Sequence, residues 1–503
     1  MVTKKTRMKN DGRTKDLTLH WLTKNYGQEW EIWRQLGQEW LINQDGGVDT
    51  KLQALSLFFN LYLTNSSYLS ADVITFFVGK NGGQASLDEF KDTIFEKTNR
   101  NDNASTARIL NYVTNFIDWV LDKHFSEKKD NGNLVRLYSN PFERVDQKNK
   151  NSETVHSPLP YRYICNLRNI LCPKSRGHFS DWLWSQNQSG QGATQSGNWF
   201  EVDESLIDRN DPDCVWRHKK LNRNRKLIYI YQIWSPVAAM VLFIKLHLPL
   251  RTYQVRMLDS GEADSLRYEK GKWIKNPHSF AFNHYRKGVF RQFKDNATGF
   301  ESTGLYISTN KTADQNKDEF ERGYEIPWQH EDVLYWLEKL RNWQEKYNPI
   351  CKPTDCTTLE AKHTADQKSH VYLSAMGNCC FLFRDASARK IEDRTKPVIE
   401  SSIHTLWYKL LKKLENNLFI LGDSLTNGVA LKLVHDYGDN VTTKTKTEFP
   451  LHSLRVSLIT SYIIDAKLPL PIVSKLLAGH SRILMTVYYT KLTPGCYTAL
   501  APG

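Results

Sequence analysis

The stretch Leu451–Lys491, LHSLRVSLITSYIIDAKLPLPIVSKLLAGHSRILMTVYYTK, decides how this chain is read. It opens with His452 and Arg455, three residues apart. On a helix the two share a face one turn apart, so both can reach one small target. Gly479 predicts a helix stop just before His480, and Ser481 a cap for a new helix carrying RILMTVYYTK. Tyr488 follows Leu484 at i+4 and is expected to share its apolar face. Tyr489 is turned away by about 100° on the same helix. One tyrosine is then core and the other free for chemistry, and the spacing favours Tyr489 for the chemistry.

Outward from this stretch, 503 residues are too many for one ordinary domain, and two or three are expected. A hydrophobic content of 40% is enough for sizeable cores. No apolar run is long enough to span a bilayer, and the basic N-terminus MVTKKTRMKNDGRTK lacks the apolar segment of a secretory signal. A soluble, cytoplasmic protein is expected. The net charge of +13 argues for a polyanionic partner, nucleic acid first and an acidic membrane surface second. Eight cysteines, of which Cys379 and Cys380 are adjacent and the others scattered, include no CxxC pair and do not make a disulfide framework. Cys351, Cys356, His363 and His370 match no standard zinc spacing.

The organisation reads as four parts. Residues 1–48 are a basic arm followed by a helical segment, in which Trp30, Trp33 and Trp40 share a stripe that is better read as core than as a base-stacking surface. Residues 49–127 are a compact all-helical unit, whose strongest element is ASTARILNYVTNFIDWVLDKHF. Residues 128–215 are weakly patterned and read as a linker or insertion with a Gly/Ser/Gln-rich loop at Ser185–Trp199. Residues 216–503 form a second globular region. It holds an apolar helix in SPVAAMVLFIKLHLPLR, a hairpin from GLYIST and GYEIPW, and an amphipathic helix in IHTLWYKLLKKLE.

The order His-x-x-Arg, Gly-His-Ser and a tyrosine nine residues after that histidine resembles the tyrosine recombinase, or phage integrase, family. The likeness covers Pro450 to Lys491. It implies that Tyr489 is the nucleophile and that His452, Arg455 and His480 attend the phosphate. The family also needs an earlier arginine after an apolar helix and a tight turn. LHLPLRTYQVRMLDSGEAD gives that role to Arg251, with Arg256 as the second choice. Gln254 stands where family members commonly carry an acid, and can hold an arginine by hydrogen bonds. A lysine is expected in the following hairpin, where Lys311 is the first choice and Lys317 the second.

The implied fold is multidomain and mostly α. A helical, SAM-like core-binding domain precedes a mixed α+β catalytic domain with a small antiparallel sheet. The implied activity is site-specific cutting and rejoining of DNA through a covalent 3′-phosphotyrosyl link, by four protomers on two duplex sites. It needs no cofactor, metal or nucleotide, and there is no GxxxxGK[ST] loop. A type IB topoisomerase-like nicking-closing enzyme and a DNA-binding regulator without catalysis are the two alternatives. Singly, His452 or His480 would be read as a satisfied structural histidine, and Lys311 equally well as a solvated hairpin lysine.

Overall fold

A computed structural model describes residues 16–490, apart from positions 45, 68, 81–82, 99, 129–133, 147–153, 155, 189–197, 224, 283–285, 310–322, 365, 424–427, 429 and 481. The chain divides into two compact units. The first comprises the described residues within 1–151 together with 366–375.

Its helices are α1 His20–Tyr26, α2 Glu31–Ile42, α3 Val48–Leu57, α4 Val73–Val78, α5 Leu87–Lys97 and α6 Ala104–His124, with a short ribbon of β1 Ser126–Lys128 and β2 Leu134–Arg136. Local signals start these helices. Asp72, Ser86 and Asn103 each accept backbone N–H bonds at the first turns of α4, α5 and α6. Continuing α3, Phe58–Leu63 forms a π-helical turn that packs inward. Trp33 of α2 is fully buried, with Phe58, Phe59, Phe76 and Phe116 at ring distances of 6.1, 6.2, 5.6 and 6.3 Å. The tryptophan stripe is therefore core. Helices α1 and α2 share one apolar core with α3–α6.

The second unit comprises the described residues within 152–365 and 376–503. In chain order come α7 Tyr161–Leu171, α8 Leu183–Asn187, β3 Trp199–Val202, β4 Trp216–Arg223, β5 Lys226–Trp234, α9 Val237–His247 and α10 Thr252–Arg256. Next are β6 Leu266–Glu269, β7 Lys272–Lys275, β8 Phe290–Lys294, β9 Glu301–Ile307, β10 Tyr324–Ile326 and α11 Glu331–Tyr347. After β11 Thr354–Asp355 and α12 Ala361–Thr364 comes α13 His370–Met376, most of which belongs to the first unit. The remainder is β12 Asn378–Cys379, α14 Glu400–Ile420, α15 Leu451–Ile464, α16 Leu470–Ile472 and α17 Ile483–Tyr489.

Among the described residues all sheets are small and antiparallel, with orders β10-β9-β8 and β3-β5-β4 in the two three-stranded ones. The fold is mixed α+β. The expected hairpin is present as β9 and β10, with Tyr324 opposite Ile307. Helix α9 runs through the centre with every residue buried, and α7, α11, α14 and α15 pack around it. Such an all-round apolar helix is stable only inside a core. Much of the segment read as linker is structured. Tyr163, Ile164, Leu167 and Leu171 of α7, with Phe179 and Trp182, belong to this same core. Their periodicity extends over a single eleven-residue helix with loops on both sides, too little to stand out in the sequence. No described helix is long and apolar enough to cross a membrane.

Candidate active site

Helix α15 starts after Pro450 and buries most of one turn after another, which points Arg455 inward. Arg455 is completely buried. Its Nη1 donates to the Pro249 carbonyl and its Nη2 to the Ala478 carbonyl at 2.8 Å and to His480 Nε2 at 2.7 Å. One guanidinium thus staples two turns: the one that delivers Arg251 and the one that delivers His480.

Gly479 sits in the second turn at φ +61°, and a Cβ there would lie 2.3 Å from the Tyr324 ring. Only glycine meets both demands. Since an arginine only donates, His480 Nε2 must be the acceptor. Its Nδ1–H then donates to Thr486 Oγ1 at 2.7 Å, which fixes the neutral tautomer.

Tyr489 closes the group. Its ring stacks on His480 at 5.2 Å and 6°, lies 5.5 Å from the His452 ring, and has the Arg455 guanidinium carbon 5.3 Å from its centre. It is 7% exposed, whereas Leu484 is 75% exposed and Tyr488 half-buried. The apolar face expected for Leu484 and Tyr488 is therefore not the buried one. The seven-residue α17 docks against α15 at Tyr489, whose carbonyl accepts from the Thr460 hydroxyl, and the tyrosine facing the histidines and arginine is the buried one. The N-cap of α17 is Arg482, without a side-chain cap, and Ser481 lies outside the described residues.

Arg251 precedes α10, and its backbone N–H donates to Gln254 Oε1 at 3.0 Å. Gln254 Nε2 in turn donates to the Thr309 carbonyl at 2.8 Å. The glutamine therefore holds the backbone of Arg251, and leaves the guanidinium to other work. Arg251 stands two residues after the Pro249 carbonyl that Arg455 holds, and its charge helps to depress His452, His480 and Arg455. Arg256 is elsewhere: fully buried, with Nε on the Val398 carbonyl at 2.6 Å and Nη2 on the His363 carbonyl at 2.6 Å. Lys311 and Lys317 lie outside the described residues.

Three residues of the site escaped the sequence reading. Lys245 is a lone lysine in the apolar run of α9, which was the available signal. It is 1% exposed, and its Nζ donates to the Leu250 carbonyl at 3.0 Å, next to Arg251. Burial, then Arg455, lowers its pKa to about 7. Tyr324 places its ring against Gly479, and Arg455 and Arg251 both act on its phenol. His156 lies 5.0 Å from the His452 ring. Neither Tyr324 nor His156 has a sequence pattern that marks it.

The electrostatics are those of an anion site. Among the described residues, neither Arg251 nor Arg455 has a carboxylate partner within salt-bridge distance. Arg251 Nη1, Arg455 Nε and the Tyr324 hydroxyl are buried there without a hydrogen-bond partner. Buried donors left unpaired are costly, and concentrated positive charge asks for a counter-ion. Burial and the neighbouring cations push His452 and His480 down to about 3 and Arg455 to about 10. Both histidines are therefore neutral near pH 7.

Comparison with known families gives a match to Integrase_2, described as "Putative integrase", over residues 29–357, more than half of the chain. The chain belongs to this integrase family. Membership places it among DNA-binding proteins of DNA integration and recombination. The matched span carries Lys245, Arg251, Gln254 and Tyr324 and ends before the segment with His452, Arg455, His480 and Tyr489. No curated protein and no solved structure matches the integrase.

Two expectations follow. His452 and His480 have native pKa values below the unfolded value near 6.5, so the unfolded chain takes up protons first as the pH falls. Stability is full above about pH 6.5 and declines towards pH 3, by at most about 1.4 kcal/mol per pH unit for each group. Thermal melts between pH 7 and 4 should show the decline, and it should be shallower in His452→Asn. The arginines should also part company. Arg256→Ala orphans the carbonyls it serves, at about 1–3 kcal/mol for each one left unsatisfied, and should lower the melting temperature markedly. Arg251→Ala relieves repulsion among cations and should melt at or above the parent, by up to about 1 kcal/mol. Differential scanning calorimetry of the two variants checks the order.

Proposed function

We propose that this integrase is a tyrosine site-specific recombinase that cuts and rejoins DNA through a covalent 3′-phosphotyrosyl intermediate. The observation that carries the reading is Tyr489 held between two neutral histidines and over Arg455, with unpaired guanidinium N–H groups of Arg455 and Arg251 beside it.

A scissile phosphodiester supplies the missing anion. Arg251 and Arg455 bind its non-bridging oxygens by charge-assisted bonds, which strengthen as charge grows in the pentavalent transition state. The Tyr489 hydroxyl attacks phosphorus, forms the P–O bond and gives up its proton, with His452 the nearest neutral acceptor ring besides stacked His480. The bond to the 5′ oxygen breaks, and Lys311 is assigned the proton that this oxygen takes. The phosphotyrosyl bond conserves the energy, and attack by a 5′ hydroxyl reverses the step on a new strand.

Arg455 couples the parts. Without its hydrogen bonds, both the Arg251 turn and the His480 turn would come loose. In this reading the first unit clamps DNA as a core-binding domain and the second carries the chemistry. Recombination would use four protomers on two duplexes.

The test uses a nicked duplex of the recombination site, identified by sequencing the ends of the mobile DNA that carries the gene. Cleavage releases a short fragment and traps the intermediate. A protein–DNA adduct on a denaturing gel is expected, and strand exchange should require two sites. Relaxation of one-site plasmids without exchange would favour a nicking-closing enzyme. Binding without any adduct would leave a DNA-binding regulator.

A further inference from the structure

The second unit carries a basic ribbon that the chemistry above does not use. Strands β4 and β5 pair over eight residues, from Trp216↔Ile233 to Arg223↔Lys226. Strand β3 covers β5 only from Tyr231 to Trp234, so the outer half is a two-stranded hairpin. Between Trp216 and Trp234 stand six Lys/Arg residues and no Asp or Glu.

Leu221 and Ile230 face inward and are buried. The opposite face carries an open ladder of rings. Trp216 lies 6.2 Å from Tyr231, His218 lies 4.8 Å from Tyr231 and stacks on Tyr229 at 4.9 Å, and Lys220 Nζ lies 5.7 Å from the centre of the Tyr229 ring. Tyr229 is 60% exposed, and Arg225 stands exposed at the tip with φ +62°. One acid reaches the ladder, where Glu204 accepts from the Tyr231 hydroxyl at 2.9 Å, and Glu201 pairs with Arg223.

We propose that the open face of the β4–β5 ribbon is a second DNA-contacting surface, which grips the backbone of duplex DNA. The proposal rests on the strand-exchange reading and names where duplex is held besides the cleavage site. A two-stranded ribbon is of a size that a duplex major groove admits, and this one is roughly 25 Å long. Lysine, arginine and tyrosine hydroxyl groups are suited to phosphate oxygens. Single-stranded bases fit less well, because the rings of the ladder already occupy one another's faces.

The test compares duplex binding at several salt concentrations in the uncleaving Tyr489→Phe chain, with and without Lys220→Glu and Arg225→Glu. Both side chains are exposed, and thermal melting checks that the fold is kept. The double reversal should weaken duplex binding by about tenfold or more, and the slope of log affinity against log salt should become shallower by about 2, one for each phosphate no longer neutralised. Tyr229→Ser should weaken binding with little change of slope. Equal affinity and slope for parent and double variant overturn the ribbon proposal while leaving the cleavage reading intact. A parent that binds no duplex brings down both. Loss by the double variant of binding to acidic phosphatidylserine vesicles, with duplex binding unchanged, reassigns the surface to membrane.

Discussion

Tyr489→Phe retains duplex binding and forms no covalent adduct, whereas Tyr488→Phe forms the adduct like the parent. Phenylalanine keeps the ring that stacks 5.2 Å from His480 and deletes only the attacking oxygen. The packing of α17 on α15 should therefore survive, and binding with it. Tyr488 contributes differently. Its ring meets Tyr489 edge-on at 5.4 Å, and its carbonyl accepts from the Thr154 N–H at 3.2 Å, a bond that any side chain allows. A nicked duplex, denaturing electrophoresis and labelled DNA measure both variants together. An adduct in Tyr489→Phe that disappears in Tyr488→Phe shifts the nucleophile by one residue. An adduct in both variants removes this helix from the chemistry.

Arg455→Ala is expected to reduce single-turnover adduct formation by about 10²–10³-fold, the cost of removing one donor to a developing oxyanion, or about 2.7–4 kcal/mol. The structure adds a second loss. The same guanidinium serves the carbonyls of Pro249 and Ala478 and the ring of His480, so alanine leaves buried acceptors unpaired and also lowers the melting temperature. Arg455→Lys separates the two effects. It keeps a positive charge, but a single ammonium lacks the planar fork that reaches both turns and a phosphate. Lysine should therefore recover part of the stability and little of the rate. Assays well below each variant's melting temperature keep the comparison to chemistry. Adduct formation by the alanine variant at the parent rate would place the phosphate elsewhere.

What the sequence determined by itself is the local part of this account. Residue spacing places His452 and Arg455 on one turn of α15, and a glycine at position 479 marks the break before His480. The long apolar periodicity of α6 and the uniform apolarity of α9 announce their burial, because each extends over several turns. Short or mixed elements were not legible in this way. The seven-residue α17 has too few positions for its own periodicity to decide which tyrosine faces inward, and docking on α15 decided for Tyr489. Arg251 and Arg256 both follow the same apolar helix. Only the packed chain shows Arg256 spent on backbone carbonyls from 142 and 107 residues away and Arg251 left with an unpaired Nη1. Lys245 joins the site from the apolar helix just ahead of Arg251, while Tyr324 and His156 come from two further segments of chain, and long-range contacts of this kind leave no spacing to read. Burial is the physical reason throughout: a helix face can be written in a local pattern, but which cations share one site without counter-charges is settled only when distant segments pack together.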